Sequence, residues 1–172
     1  MTATGSESTK LIIIRGNSAS GKSTIARTIR EQFGKRELTI VEQDYVRLQI
    51  LNGYDGPGRP YVGLIDLIAR YALKNGFHVI VEGILNAAAN GAMLSQLAID
   101  HRGENFAFYI DVPFDETVRR HATRPLASTV GVETMQGWYR PLDLIPAIDE
   151  RVIPPESTLA DSVALIRTTA NL

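Results

Sequence analysis

Apolar positions along this chain alternate between two rhythms. Short, nearly continuous apolar runs occur at residues 11–14, 38–42, 77–83, 106–111 and 151–153, rich in Ile, Val and Phe. Runs of that length and composition predict strands, and their lack of polar alternation predicts burial on both faces of a parallel sheet. Between them the spacing changes. Ile25, Ala26, Ile29 and Phe33 share one helix face, as do Leu64, Ile65, Ile68, Ala69 and Ala72. Further helices are predicted from about 44 to 51, over 87–102 with Gly103 as a stop, from Asp115 onward, and over 157–168 with Ser157 as cap. Residues 52–60 hold Gly53, Gly56, Pro57, Gly58 and Pro60 and read as a loop. Strands alternating with helices imply an α/β domain built on a parallel sheet with right-handed crossovers.

The first strand-to-helix junction carries the strongest chemical signal. Gly16-Asn17-Ser18-Ala19-Ser20-Gly21-Lys22-Ser23-Thr24 matches G-x-x-x-x-G-K-S, the phosphate-binding P-loop, between an apolar run and a helix start. Gly16 and Gly21 let the backbone turn its N–H groups inward onto phosphate oxygens. The positive end of the new helix adds to the attraction. Lys22 is placed to reach the outer phosphates, and the Ser23 hydroxyl to meet a Mg²⁺ ion. The bland alternative is a Gly/Ser turn between a core strand and a surface helix.

Composition changes little in this picture. The chain has 172 residues, 44% hydrophobic and 22% charged, with a net charge of −1. That suits one soluble domain and supplies no global basic field for nucleic acid or membrane. There is no cysteine, which excludes disulfides and thiolate metal sites and fits a cytoplasmic location. Residues 1–9 are small and polar, without the apolar core of a secretory signal, and are expected to form a loose tail before a single domain over 10–172. No apolar run approaches the length of a membrane span.

Asp44 falls just past the second strand, at the sheet edge where ligands of such folds lie. A carboxylate there can accept the proton of an attacking hydroxyl, or cap the following helix. Glu82-Gly83 ends the third strand, where a carboxylate can hold Mg²⁺ through water, bind substrate, or merely face water. Arg119, Arg120 and Arg124 follow the acidic first turn of one helix, with Arg120 and Arg124 on a shared face. Cations there either close over a transferring phosphoryl group or form a solvated helix end. Arg140 is placed to reach substrate from the next segment, and Trp138 and Tyr139 to stack on a base or pack under a lid. His78, His101 and His121 show no metal-ligand spacing.

Together, the Gly16–Thr24 loop, the Asp44-x-x-Arg47 spacing and the arginines of 119–124 resemble the small P-loop kinases, in particular the zeta-toxin, gluconate-kinase, chloramphenicol-phosphotransferase and polynucleotide 5′-kinase group. The resemblance implies a three-layer P-loop NTPase fold, a five-stranded parallel sheet of order 2-3-1-4-5, ATP with Mg²⁺, and an arginine lid over about 119–146. It implies Lys22, Asp44, Arg120 and Arg124 as catalytic, the loop with Arg120 and Arg124 as nucleotide-binding, and Ser23 and Glu82 as metal-holding. It also implies Asp44, Arg47, Glu82 and Arg140 as substrate contacts, with Arg47 on an acceptor phosphate as in the polynucleotide kinases. Zeta toxins end the matching strand in Glu-Gly-Thr, where this chain has Ile84. Adenylate-kinase relatives continue with Pro-Arg, whereas Ile84-Leu85-Asn86 here argues against a nucleoside-monophosphate kinase. The expected activity is therefore transfer of the ATP γ-phosphate to a hydroxyl of a small-molecule acceptor. A polynucleotide 5′-hydroxyl kinase and a non-catalytic nucleotide switch are the alternatives.

Overall fold

The central strand of the sheet, β1 (Lys10–Gly16), is buried almost along its whole length. A computed structural model describes residues 3–53, 58–123 and 128–172. After β1 come α1 (Lys22–Phe33), β2 (Leu38–Glu42), a single π-helical turn (Tyr45–Ile50), α2 (Pro60–Lys74) and β3 (His78–Gly83). Then follow α3 (Ala87–Asp100), β4 (Glu104–Ile110), α4 (Phe114–His121), α5 (Val132–Trp138), β5 (Glu150–Ile153) and α6 (Leu159–Ala170). All strand pairs are parallel, in the order β2-β3-β1-β4-β5. This is the P-loop NTPase sheet expected from the sequence.

Alternation along β1 explains the two layers. Ile12 and Ile14 face α1 and α6, packing with Ile25, Ala26, Ile29, Val163 and Ile166. Leu11 and Ile13 face α2 and α3, packing with Ile65, Ala69, Leu73, Leu94 and Leu97. Each such aliphatic side chain taken from water contributes about 1.5–3 kcal/mol, so a strand buried on both sides must be nearly all apolar. Arg15 breaks that rule. It follows Ile14 in β1 and is fully buried. Its Nη1 donates to both oxygens of Glu150 at 2.8 Å, Nη2 to Asp143 Oδ2 at 3.1 Å and Nε to Leu85 O at 3.0 Å. The Tyr109 ring lies beside the guanidinium, 5.7 Å from its centroid.

Several boundaries move for local reasons. Within the stretch expected to be a loose tail, Thr4 and Thr9 are buried against the domain. Thr4 N donates to Asp100 O at 2.8 Å, Arg102 N donates to Thr4 O at 3.0 Å, and Thr9 Oγ1 meets His101 Nε2 at 2.9 Å. Helix α3 accordingly stops at Asp100, and β4 begins at Glu104, opposite Lys10. Helix α6 is capped by Thr158, not Ser157: Thr158 Oγ1 accepts from Asp161 N while Asp161 receives the Thr158 N–H. The loop after residue 51 ends at Pro60, the first residue of α2; residues 54–57 within it lie outside the described residues.

The expected consequence for stability is specific. Arg15→Met strands the buried Glu150 carboxylate without its partner, which should lower unfolding free energy by about 3–5 kcal/mol. Adding Glu150→Gln, which keeps an acceptor for Ile145 N, should recover much of that loss. Urea unfolding of both variants checks it, and an Arg15→Met protein with wild-type stability would show the pair to be unimportant.

Candidate active site

The P-loop leaves β1 at Gly16, whose φ of +148° and position leave no room for a side chain: a Cβ there would stand 2.5 Å from Ile110 O. The turn closes through Ala19 and Gly21, both at positive φ. Ala19 is an alanine in left-handed backbone, a conformation that costs about 1–2 kcal/mol and is held by its buried surroundings. Helix α1 then starts with no side-chain cap and no acidic residue in its first turn. A helix start without a side-chain cap or an acidic residue suits an anion. Lys22 is buried and folds over the loop, donating to Asn17 O at 2.7 Å and to Ser20 Oγ at 3.2 Å.

Glu82 meets this helix start from β3. Its Oε1 accepts from Ser23 Oγ at 2.9 Å, and the residue is buried. Burial raises its proton affinity, opposed by the Lys22 charge and the Ser23 hydrogen bond, while Glu42 and Asp44 push the same way as burial. A hydroxyl and a carboxylate side by side at a phosphate loop suit Mg²⁺, which takes one or two protein oxygens and completes its shell with waters and phosphates. Among the described residues no group of three His, Asp or Glu side chains could hold a metal by itself.

Asp44 is strongly exposed beyond β2. It makes no capping hydrogen bond to the turn that follows, so the capping alternative is not realised. Arg47 lies 3.6 Å away across one turn, a surface pair worth little to stability. The electrostatic effect of Asp44 on Glu82 places the two carboxylates in one neighbourhood. Between them the β3–α3 connection is fixed: Gly83 leaves space for Gln43, whose Oε1 accepts from Leu85 N at 2.8 Å.

From the other side, Arg120 on α4 donates through Nη1 to Ser20 O at 3.2 Å and through Nε to Glu116 at 2.6 Å. Glu116 is held at a pKa of about 2 by hydrogen bonds from Arg119 and Arg120, so it stays an anion that steers both arginines. Arg119 reaches only Glu116 and is otherwise in solvent. Arg124 lies outside the described residues. Arg140 meets the loop by its main chain, since Asn17 Nδ2 donates to Arg140 O at 2.8 Å and Arg140 N donates to Asn17 Oδ1 at 2.9 Å. Its guanidinium turns instead onto Gly137 O and Tyr139 O. Tyr139 packs edge-on against Phe114, and Trp138 is left partly exposed. A cavity of about 270 Å³ opens beside the loop, between Gly21, Thr24 and Arg120 on one side and Pro154, Pro155 and Thr158 on the other.

The structure thus brings Lys22, Ser23, Glu82 and Arg120 together around the P-loop, with Asp44 nearby. Arg15, Gln43, Tyr109, Asp143 and Glu150 were not anticipated. The only signal for them was a charge interrupting an apolar strand run at Arg15.

A family model described as AAA domain (AAA_33) matches residues 11–142. The chain belongs to this AAA domain family. The match runs from β1 through the P-loop and Arg120 to the segment that follows α5. A search of curated proteins finds no match. Among solved structures, the Mycobacterium tuberculosis APS kinase CysC, in complex with AMPPNP and APS, superposes with a TM-score of 0.76 over 99% of both chains, at 16% identity. A gluconokinase from Sinorhizobium meliloti 1021 gives 0.65 over 99% of this chain and 96% of that one, at 16% identity. A chain of the Pnkp1/Rnl/Hen1 RNA repair complex gives 0.56 at 21% identity, over 79% of this chain and 43% of its own length. At these identities the likeness is one of fold. No helix among the described residues is long and apolar enough to cross a membrane.

Burial of Glu82 predicts a pH signature. A folded-state pKa raised above the unfolded one favours the protonated form, so this group's contribution to stability is present in acid and is lost as pH rises through the folded value. Glu82→Gln should therefore stabilise the metal-free protein at neutral pH, and the gain should vanish below the ordinary glutamate pKa of 4.5. Urea unfolding from pH 3 to 8 (roughly the span over which carboxylates titrate) measures it; a gain that persists unchanged into acid would assign the effect to packing.

Proposed function

We propose that this AAA domain protein is an ATP-dependent phosphotransferase that moves the γ-phosphate of ATP to a hydroxyl of a small-molecule acceptor. The observation that carries the reading is the convergence at one helix start of Lys22, the Ser23–Glu82 pair and Arg120, with a carboxylate, Asp44, exposed at the neighbouring strand end. A switch module needs the phosphate loop but no proton acceptor beside it. The cavity between Arg120 and Pro154–Thr158 adjoins the loop and suits the nucleoside portion of ATP.

In this reading the loop N–H groups and Lys22 hold the β- and γ-phosphates. Ser23 and Glu82 would hold Mg²⁺, which when bound would supply positive charge against the phosphate oxygens. Asp44 accepts the proton of the acceptor hydroxyl. The hydroxyl oxygen forms a bond to the γ-phosphorus as the bond to the bridging oxygen of ADP breaks, and that oxygen keeps the electron pair. Arg120 faces the charge that develops on the transferred group. Arg47, beside Asp44, is positioned for an anionic group of the acceptor, and Arg124 and Arg140 are further candidates for phosphate or substrate contact.

The deciding experiment compares acceptor-dependent and acceptor-independent ADP release in wild type and Asp44→Asn, after screening sugars, nucleosides, aminoglycosides, chloramphenicol-like alcohols and 5′-hydroxyl oligonucleotides. Asp44→Asn should leave fold and ATP affinity intact and slow transfer by about 10²–10⁴. An oligonucleotide as the only effective acceptor selects the polynucleotide-kinase alternative, which the Asp44–Arg47 proximity favours. No acceptor effect from any class selects the switch.

Arg120→Ala tests the lid side. It should lower the turnover number by roughly 10–10³ while weakening ATP binding less, because a contact made mainly in the transition state appears in turnover. Steady-state kinetics on the acceptor found above would show it, and unchanged turnover would reduce Arg120 to a partner of Glu116.

A further inference from the structure

A buried polar cluster lies beneath the phosphate loop, centred on a tyrosine that the chemistry described above does not use. The Tyr109 side chain rises from β4 and is almost wholly buried. Its hydroxyl donates to Arg140 O at 3.1 Å and accepts from Asn17 Nδ2 and from Asp143 N, each at 3.3 Å. Asn17, a residue of the phosphate loop, completes a two-point clasp on the Arg140 main chain, donating to its carbonyl at 2.8 Å and accepting from its N–H at 2.9 Å. Beyond Arg140, Asp143 accepts from Ala87 N at 2.8 Å and from Arg15 at 3.1 Å, and Ile145 N donates to Glu150 at 2.6 Å.

Segment 140–145 therefore has no regular structure of its own and is held by side chains. One end rests on the phosphate loop. The other rests on the start of α3 and, through Arg15, on Leu85 in the connection that follows Glu82. The Tyr109 hydroxyl touches Asn17, Arg140 and Asp143 together. Burial raises its pKa, so it remains a donor throughout the neutral range. Each buried hydrogen bond of this kind contributes modestly when made, and more is lost when a partner is stranded.

We propose that Tyr109 is a positioning residue: its hydroxyl fastens segment 140–145 to the phosphate-loop residue Asn17, so that nucleotide binding at the loop and order in this segment are one coupled event. The proposal rests on the reading that the loop binds nucleotide. Nucleotide that fixes the loop fixes Asn17, and Asn17 fixes Arg140. By linkage the relation is reciprocal, so loosening the segment weakens nucleotide binding by the same factor. Tyr109 does not line the cavity beside the loop, so an effect on affinity would have to travel through the clasp.

The test is Tyr109→Phe, which keeps the ring and removes the hydroxyl, studied by amide hydrogen exchange and by calorimetric titration with Mg·AMPPNP. In the nucleotide-free protein, the Arg140 and Asp143 amides should exchange roughly two- to tenfold faster than in wild type. The β1 and α6 amides should not change, which separates local release from general destabilisation. In wild type, Mg·AMPPNP should slow exchange in 140–145; in the variant that slowing should shrink, and the Kd should rise by a similar factor. Equal exchange in both nucleotide-free proteins overturns the clasp. Equal slowing and equal Kd overturn the coupling. If wild type does not bind Mg·AMPPNP, the proposed nucleotide function and the coupling both fail, whereas the nucleotide-free comparison still decides the clasp. Should Tyr109→Phe not fold, Asn17→Asp serves for the exchange comparison in the nucleotide-free protein: it keeps the acceptor for Arg140 N and removes the donor to Arg140 O, so the Arg140 amide should again exchange faster, and equal exchange overturns the clasp.

Discussion

The arrangement of this protein depends on a helix that begins at the centre of the sheet without a side-chain cap. A buried helix end normally satisfies its first N–H donors with a cap. Here Gly21 supplies none and the first turn has no acidic residue. A helix start that suits an anion is thus built into the backbone, at the meeting point of β1, β3 and α4. Glycine at position 16 is required because Ile110 O stands where a side chain would go. Glu82 arrives beside Ser23 because β3 neighbours β1 in parallel register, with Ile14 opposite Glu82. Sheet order, loop geometry and the carboxylate at the helix start are consequences of one topology.

A second constraint follows from the first. A loop that turns its N–H groups inward needs firm support below, and apolar side chains cannot hydrogen-bond the irregular segments that gather there. Arg15 supplies that support from inside the core. Its guanidinium makes four hydrogen bonds, to Glu150, Asp143 and the Leu85 carbonyl, joining the end of β1 to β5, to segment 140–145 and to the β3–α3 connection. Two carboxylates against one guanidinium leave the cluster anionic, and the Ala87 and Ile145 amides offset that excess. Burying such charges gives little net stability compared with apolar packing. Its gain is directional: a guanidinium accepts only a few arrangements of its partners, and so specifies where three loops run.

These two features differ in how far they can be read from the chain. The phosphate loop was legible because its chemistry depends on consecutive residues, and the strand and helix flanking it have local periodicity. Arg120 was legible as a basic residue following acidic ones on a helix. The Arg15 cluster was not, because its partners Asp143 and Glu150 stand 128 and 135 residues away; only the folded sheet makes them neighbours. The burial of Thr4 and Thr9 was missed for the same reason. Small polar residues look like a tail until His101, 92 positions beyond Thr9, is brought beside them. Arg140 shows a subtler case: its charge drew attention as a substrate contact, whereas its contact with the loop is made by its main chain.

The two carboxylates near the loop show how placement divides their roles. Glu82 is buried, hydrogen-bonded to Ser23 and raised in proton affinity by its surroundings. Without a cation it is an awkward charge, and a divalent ion beside Ser23 would remove the difficulty, so its environment suits ion holding better than proton transfer. Asp44 stands in water, free of the capping duty its position suggested. Its carboxylate is open to solvent. Two acids that differ in burial can hold different protonation states at one pH. The sheet produces that difference directly: Glu82 lies on the β3 strand next to the centre, and Asp44 lies beyond the edge strand β2. The same parallel topology that sets the start of helix α1 beside β3 thus places one carboxylate inside the site and one outside in solvent.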